Sequence, residues 1–262
     1  MAASSGRTLY IQGRVISALI KREMRTRIGH LSWIWLLMEP ILHCAVLVLL
    51  FEVLRRRSPV PGIDSAEFVL TGILPLLFYQ RTSNQVLHAT DGNHSLLVYP
   101  QVTPLDLGIA RAALEIAILY VVCLGFLAVK WLLGFGLEFS DPPGIMLACL
   151  SLGLIGLGVG LAGASVSLYV HWVGRVLPYV NRLIYLTSGV FFTIENVSGQ
   201  YREYLMWSPF AQAVEWARTS YFPIMSTDYL NLSVVFFALT GTLCAGVLAE
   251  RATRQEARSG NY

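Results

Sequence analysis

Lysine is nearly absent. Of 19 basic residues only Lys21 and Lys130 are lysines, and they precede Arg22 and Trp131. A phosphate-cradling loop needs a lysine followed by Ser or Thr, so the chain is not expected to hydrolyse ATP itself. Charge of any kind is scarce, at 13% of residues against roughly 25% in an average soluble domain. Hydrophobic residues make up 55%, an excess that a single soluble core cannot absorb. No long polar segment offers room for a second domain, so residues 1–262 read as one membrane domain. Cys44, Cys123, Cys149 and Cys244 are scattered through apolar stretches without C-x-x-C spacing, and read as small buried hydrophobes. His30, His43, His88, His94 and His171 are dispersed with no H-E-x-x-H, which argues against a metal-dependent membrane enzyme. Residues 1–30 lack a short apolar core with a small-residue cleavage site, so no cleavable leader is expected.

What the chain does have is long uncharged runs. Residues 229–249, flanked by Asp228 and Glu250, contain no charge over 21 positions. At ~1.5 Å per helical residue this run covers ~31 Å, close to the ~30 Å hydrocarbon core of a bilayer. Six spans are predicted, at 34–54, 67–88, 107–135, 143–171, 177–195 and 229–249. The fold class is therefore all-α and polytopic, with a bundle over 34–250 and a tail at 251–262. Six spans put both termini on one side, and that side carries 13 Lys and Arg against six on the other. The positive-inside tendency places it in the cytoplasm. The Arg55, Arg56, Arg57 triplet then falls outside and is the main item against this orientation; it anchors to headgroups, binds a polyanion as it emerges, or marks a local misassignment of the topology.

Residues 7–28 are too charged to span. At 100° per residue Leu9, Val15, Ile16, Leu19, Ile20 and Met24 share one face, opposite Arg7, Arg14, Lys21 and Arg25. Such a helix lies at a lipid surface, or is an ordinary basic flank; Glu23 and Arg27, four apart on the apolar side, can pair. In span four Gly156, Gly160 and Ala164 form a small-xxx-small pattern, which suits packing within the bundle or between subunits. The loop 89–104 is polar yet lacks Lys and Arg, and Ser95, Leu96, Leu97, Val98 and Tyr99 form one or two helical turns on it. Thr103, Pro104 and Asp106 then carry the signature of a capped helix start. A short apolar helix on a cytoplasmic loop either docks into a groove on a soluble partner or packs as a lid on its own bundle. Arg111 and Glu115 stand at i,i+4 spacing and are read as an ion pair. Residues 196–226 are rich in aromatics, including Trp207 and Trp216, and Pro209 splits them into halves too short to span. These re-entrant half-helices serve as interfacial anchors or as a gate. The substrate pathway is assigned to Trp33, Trp35, Arg55, Arg56, Arg57, Trp207 and Trp216.

Four segments carry a resemblance. IQGRVISALIKREMRTRIG (11–29) resembles the amphipathic lead-in helix of type-2 ABC exporters, and Met38-Glu39-Pro40 their Glu-Pro at the start of span one. YPQVTPLDLGIARAALE (99–115) is similar to their second cytoplasmic segment, and WSPF (207–210) with Glu215 and Arg218 to their external re-entrant element. The closest likeness is to the capsular polysaccharide exporters. The segment HLSWIWLLM (30–38) departs from the family by lacking a Gly before its aromatic-Leu-Trp. The resemblance implies a permease subunit in the bacterial inner membrane, paired with a second copy to give twelve helices. Two separate ATPase subunits would bind ATP and Mg, while this chain holds no cofactor and no metal. Ser95–Tyr99 would couple to those subunits. The implied cargo is a lipid-linked capsular polysaccharide, or a related O-antigen or teichoic acid polymer. A periplasmic co-polymerase, an outer-membrane export protein and membrane lipid complete the partners; nucleic acid is not among them. A secondary transporter would instead show inverted repeats, and the two halves differ in loop pattern and charge.

Overall fold

A computed structural model of the chain describes residues 2–28, 32–53, 58, 60–91, 93–99, 101–136, 139–197 and 199–259. Every regular element among them is helical. Helix α1 (Ala2–Ile28) leads into α2 (Ser32–Val53), which has Pro40 inside it. Helix α3 (Ser65–Leu87) starts where the Asp64 carboxylate accepts from Ala66 N–H at 3.0 Å. A single turn, α4 (His94–Leu97), precedes α5 (Pro104–Leu132). The capping box read from the sequence is present at the start of α5. Asp106 N–H donates to Thr103 Oγ1 at 3.3 Å, and Thr103 N–H to Asp106 Oδ2 at 2.9 Å. Helices α6 (Pro142–Ser167), α7 (Trp172–Thr187), α8 (Gln200–Trp207), α9 (Pro209–Tyr221) and α10 (Leu232–Ser259) follow.

Four described helices are long and apolar enough to cross a membrane: Ile34–Val53, Pro104–Leu132, Pro142–Ser167 and Leu232–Gln255. The predicted second span corresponds to α3, whose Glu67 and Arg81 dilute its hydropathy. The fifth, predicted as 177–195, needs correction. Helix α7 has 16 residues and stops at Thr187, because Gly189 takes φ +77° just beyond Ser188 and turns the chain out of the helix. Helix α10 continues unbroken to Ser259, so the described part of the predicted tail at 251–262 is helical.

Helix α6 is the centre of the bundle, and its glycines explain why. A Cβ on Gly156 would stand 2.6 Å from the Tyr79 carbonyl oxygen, and one on Gly160 2.7 Å from that of Ser83, both on α3. On the other face a Cβ on Gly158 would stand 2.5 Å from the Thr242 carbonyl of α10. Both neighbours touch α6 backbone to backbone, so Gly156 and Gly160 serve packing within one chain.

The chain splits at Pro209 as expected, but the two halves differ. Tyr201, Tyr204 and Trp207 of α8 are exposed, whereas α9 is buried from Ala211 through Ser220. Arg218 holds α9 in place. Its guanidinium donates to the carbonyls of Gly189 (2.6 Å), Val190 (2.6 Å), Phe192 (3.1 Å) and Phe68 (3.3 Å), and lies 3.8 Å from the Phe68 ring centroid. One side chain thus ties the turns after α7 to α3 and α9. The cysteines are free; Cys44 and Cys149 are buried as expected, while Cys244 is exposed on α10.

Candidate coupling surface and polar seam

The loop between α3 and α5 is held from beneath by α1. Leu19 of α1 packs with Ala89, Leu97, Val102, Leu107 and Ala110, flanked by Val15, Ile20 and Leu96. Of the apolar face predicted for α1, Val15, Leu19 and Ile20 therefore pack on protein, while Met24 is exposed. Periodicity reveals that an apolar face exists, not what covers it.

Polar contacts fix the same joint. The buried Asn93 amide donates to Glu23 Oε1 (3.2 Å) and to the Ala89 carbonyl (3.0 Å), and its oxygen accepts from Arg22 Nη1 (2.6 Å). Arg111 Nε lies 3.5 Å from Glu23 Oε1, and its Nη1 donates to the His88 carbonyl at 2.6 Å. Gln12 Nε2 donates to Asp106 Oδ1 at 2.8 Å. Glu23 is thus engaged by Asn93 and Arg111; the Arg27 side chain, read as able to pair with it, lies outside the described residues.

This frame sorts the five coupling residues. Leu97 is 4% exposed and Leu96 half-buried, so the lid reading accounts for both. Val98 at 81% and Tyr99 at 62% point outward beside the exposed Ser95. The outward face of this loop consists of Ser95, Val98 and Tyr99; Leu96 and Leu97 are its foundation.

A second polar group crosses the bundle. Arg81 on α3 bridges Glu39 Oε2 of α2 (3.1 Å) and Glu115 Oε2 of α5 (3.1 Å). Nearby, Tyr79 Oη donates to Asn181 Oδ1 at 2.8 Å, and Gln80 Nε2 to the Asn181 carbonyl at 2.8 Å. Asn181 Nδ2 in turn donates to Ser83 Oγ (3.2 Å) and Asn84 Oδ1 (3.1 Å). The sequence paired Glu115 with Arg111. In the structure each is met from another helix, Glu115 by Arg81 and Arg111 by Glu23. Spacing along one helix could not find partners 34 and 88 residues away. The available signal was Arg81 itself, since a charge in a spanning segment needs a partner.

The residues assigned to a substrate pathway do not gather at one place. Trp35 on α2 is exposed and Trp207 on α8 is 79% exposed. Trp216 is only 7% exposed, packed with Ala148 and Ala217 and edge-on to Phe236 at 6.1 Å, so it is a core residue and lines no open passage. The Trp33 side chain and Arg55, Arg56 and Arg57 lie outside the described residues.

Comparison with known proteins gives this architecture a family. Residues 14–222 match the family model described as ABC-2 type transporter. The chain is 30% identical to the polysialic acid transport protein KpsM of Escherichia coli, over 94% of this chain and 96% of that protein. It is 31% identical to the capsule polysaccharide export inner-membrane protein CtrC of Neisseria meningitidis serogroup A, over 86% and 85%. It is 26% identical to the capsule polysaccharide export inner-membrane protein BexB of Haemophilus influenzae, over 92% and 91%. With the family model covering the α1 joint, the seam and α9, and relatives aligned over nearly their whole length, this chain belongs to the ABC-2 type transporter family.

Proposed function

We propose that the chain is the permease subunit of an ATP-driven exporter that moves a lipid-linked capsular polysaccharide across the bacterial inner membrane. Two of the relatives are capsule polysaccharide export proteins by name and the third transports polysialic acid, which favours this cargo over O-antigen or teichoic acid polymers. The observation that carries the mechanism is the braced loop. Val98 and Tyr99 are displayed outward while Asn93, Glu23 and Arg111 fix the ground beneath them. An exposed valine and tyrosine on a rigid base suit reception of force from a soluble partner.

In this reading α2, α3, α5, α6, α7 and α10 are the six spans, both termini are cytoplasmic, and α8 and α9 form the re-entrant element. ATP and Mg bind to two separate ATPase subunits, and a second copy of this chain completes the transporter. The large outward residues of α2 and α7, among them Trp35, Leu42, Leu49, Tyr179 and Leu183, supply the face for that copy. A periplasmic co-polymerase and an outer-membrane export protein receive the polymer.

The test is Val98→Asp with Tyr99→Asp. Both side chains are exposed, so folding and membrane insertion are expected to persist. Co-purification of the ATPase and surface capsule are both expected to fall by more than about tenfold, the equivalent of ~1.4 kcal/mol at the docking contact. Normal capsule with normal ATPase recovery refutes the assignment.

A further inference from the structure

A cleft of about 640 Å³ opens between α3, α5, the start of α6 and the end of α9. Its walls are apolar, with Leu70, Leu74, Phe126 and Leu127 along the sides and Cys123 and Cys149 at depth. Its mouth is polar. Lys130 Nζ lies 2.7 Å from Glu67 Oε1 and donates to Tyr221 Oη at 3.1 Å, and the ammonium sits 5.3 Å from the Tyr221 ring centroid. The mouth lies at the far end of α5 from the Thr103 cap and the coupling loop.

From these features we infer that the cleft is a binding site for one zwitterionic glycerophospholipid whose headgroup ends in a primary ammonium. Depth is the first argument. Lys130 to Cys123 on α5, and Glu67 to Leu74 on α3, each span seven residues, or ~10 Å of helix. That is about two-thirds of the ~15 Å depth of one leaflet's hydrocarbon. Volume is the second. An extended chain covers that depth with about eight carbons, so two chains place about sixteen in the cleft. A methylene fills about the volume of a water molecule, ~30 Å³, so they need roughly 480 Å³.

Charge is the third argument, and it selects the headgroup. Lys130 and Glu67 sum to zero and Asp64, which also lines the cleft, adds a further negative charge, so a solely anionic headgroup gains Lys130 and meets the carboxylates as like charges. A phosphate linked to a primary ammonium satisfies both. Lys130 donates to the phosphate oxygens while the ammonium donates to Glu67. A quaternary ammonium has no N–H to donate. Tyr221 and Lys130 are also the residue types that sit at headgroup level. Because Ala217 and Tyr221 of α9 line the cleft, the lipid completes the packing of the re-entrant helix. That the leaflet is the outer one rests on the topology proposed above; the site itself does not.

Cys123 supplies a native probe. The full chain, with Cys44 and Cys244 changed to Ser, is placed in nanodiscs of phosphatidylethanolamine, phosphatidylcholine or phosphatidylglycerol, and in lipid-free detergent. Alkylation of Cys123 by a membrane-permeant maleimide is then followed by mass spectrometry. Phosphatidylethanolamine is expected to slow alkylation about tenfold relative to detergent, the factor reached when lipid exceeds its Kd about tenfold. The other two lipids protect less, and Glu67→Gln erases the difference between phosphatidylethanolamine and phosphatidylglycerol while leaving general protection by lipid. Equal rates in all four media overturn the site. Equal protection by all three lipids overturns the headgroup assignment. Protection that persists in lipid-free detergent and disappears only when copies dissociate identifies a second chain as the occupant, and overturns the proposal. The readout needs neither ATPase nor transport, so it stands or fails apart from the exporter reading.

Discussion

Replacing Arg218 tests whether one side chain seats α9. Arg218→Met keeps much of the aliphatic stem and removes every donor. Four carbonyls, those of Gly189, Val190, Phe192 and Phe68, then lose their guanidinium partner in the interior. Each buried acceptor left unmade costs about 1–3 kcal/mol, and such costs within one network are not additive. Against that, a buried guanidinium no longer has to be stripped of water. The net loss is expected at about 3–5 kcal/mol, the range for breaking a buried charged contact from one side. Glu215, one turn earlier and also buried, sharpens the test. In Arg218→Met its charge loses a neighbouring cation, so adding Glu215→Gln is expected to return part of the stability. Arg218→Lys keeps the charge but not the planar fork, and cannot serve four carbonyls at once. Thermal unfolding of the purified protein, followed by the emission of Trp216 on the same helix, reports the change. A loss of ~3 kcal/mol corresponds to a fall in Tm of about 6–12 °C for a chain of this size. Protease cleavage within 188–199 is expected to appear at lower temperature in the same variant. An unchanged Tm for Arg218→Met, or no recovery in the double variant, refutes the idea that this network holds α9.

Three further outcomes are expected. Gly158→Ala, whose Cβ would stand 2.5 Å from the Thr242 carbonyl, lowers yield and Tm sharply, whereas Gly174→Ala, with its nearest neighbour at 3.7 Å, changes neither; equal behaviour of the two argues against close α6–α10 packing. Arg81→Met removes a partner of the fully buried Glu115 carboxylate and lowers membrane yield, and Glu115→Gln in the same chain restores part of it; pulse-labelled protein half-life measures this, and additive losses contradict the pairing. Asn93→Ala breaks the Glu23 and Arg22 contacts at a cost of about 1–3 kcal/mol and is expected to speed amide exchange across 93–99 while leaving α6 unaffected; unchanged exchange there means that α1 does not brace the loop.

Much of this architecture was legible in the sequence, because lipid forces spanning segments to be long and uncharged. The 21-residue run ending at Ala249, the Thr103 cap and the break at Pro209 all announce themselves locally. What was hidden depends on contacts distant in sequence. Leu97 and Val98 are adjacent and both apolar, yet one is foundation and the other surface, and only the position of Leu19 decides which. Trp216 reads like any interfacial aromatic until α9 is found inside the bundle. Arg111 and Glu115 suit each other by spacing, but Arg81 and Glu23 arrive from other helices. Helix α7 misled by composition, since the apolar residues after Thr187 extend a hydropathy window through a turn that Gly189 imposes.

The glycines of α6 also set an order of events during synthesis. The α3 face of α6, at Gly156 and Gly160, finds its partner already made, because α3 is earlier in the chain. The opposite face at Gly158 must wait for α10. Between Ser167 and Leu232 lie 64 positions, and at about 5–20 residues per second this is a delay of roughly 3–13 s. For that interval a strip of bare backbone on α6 faces lipid or whatever escorts the nascent chain, and α10 is the helix that closes it.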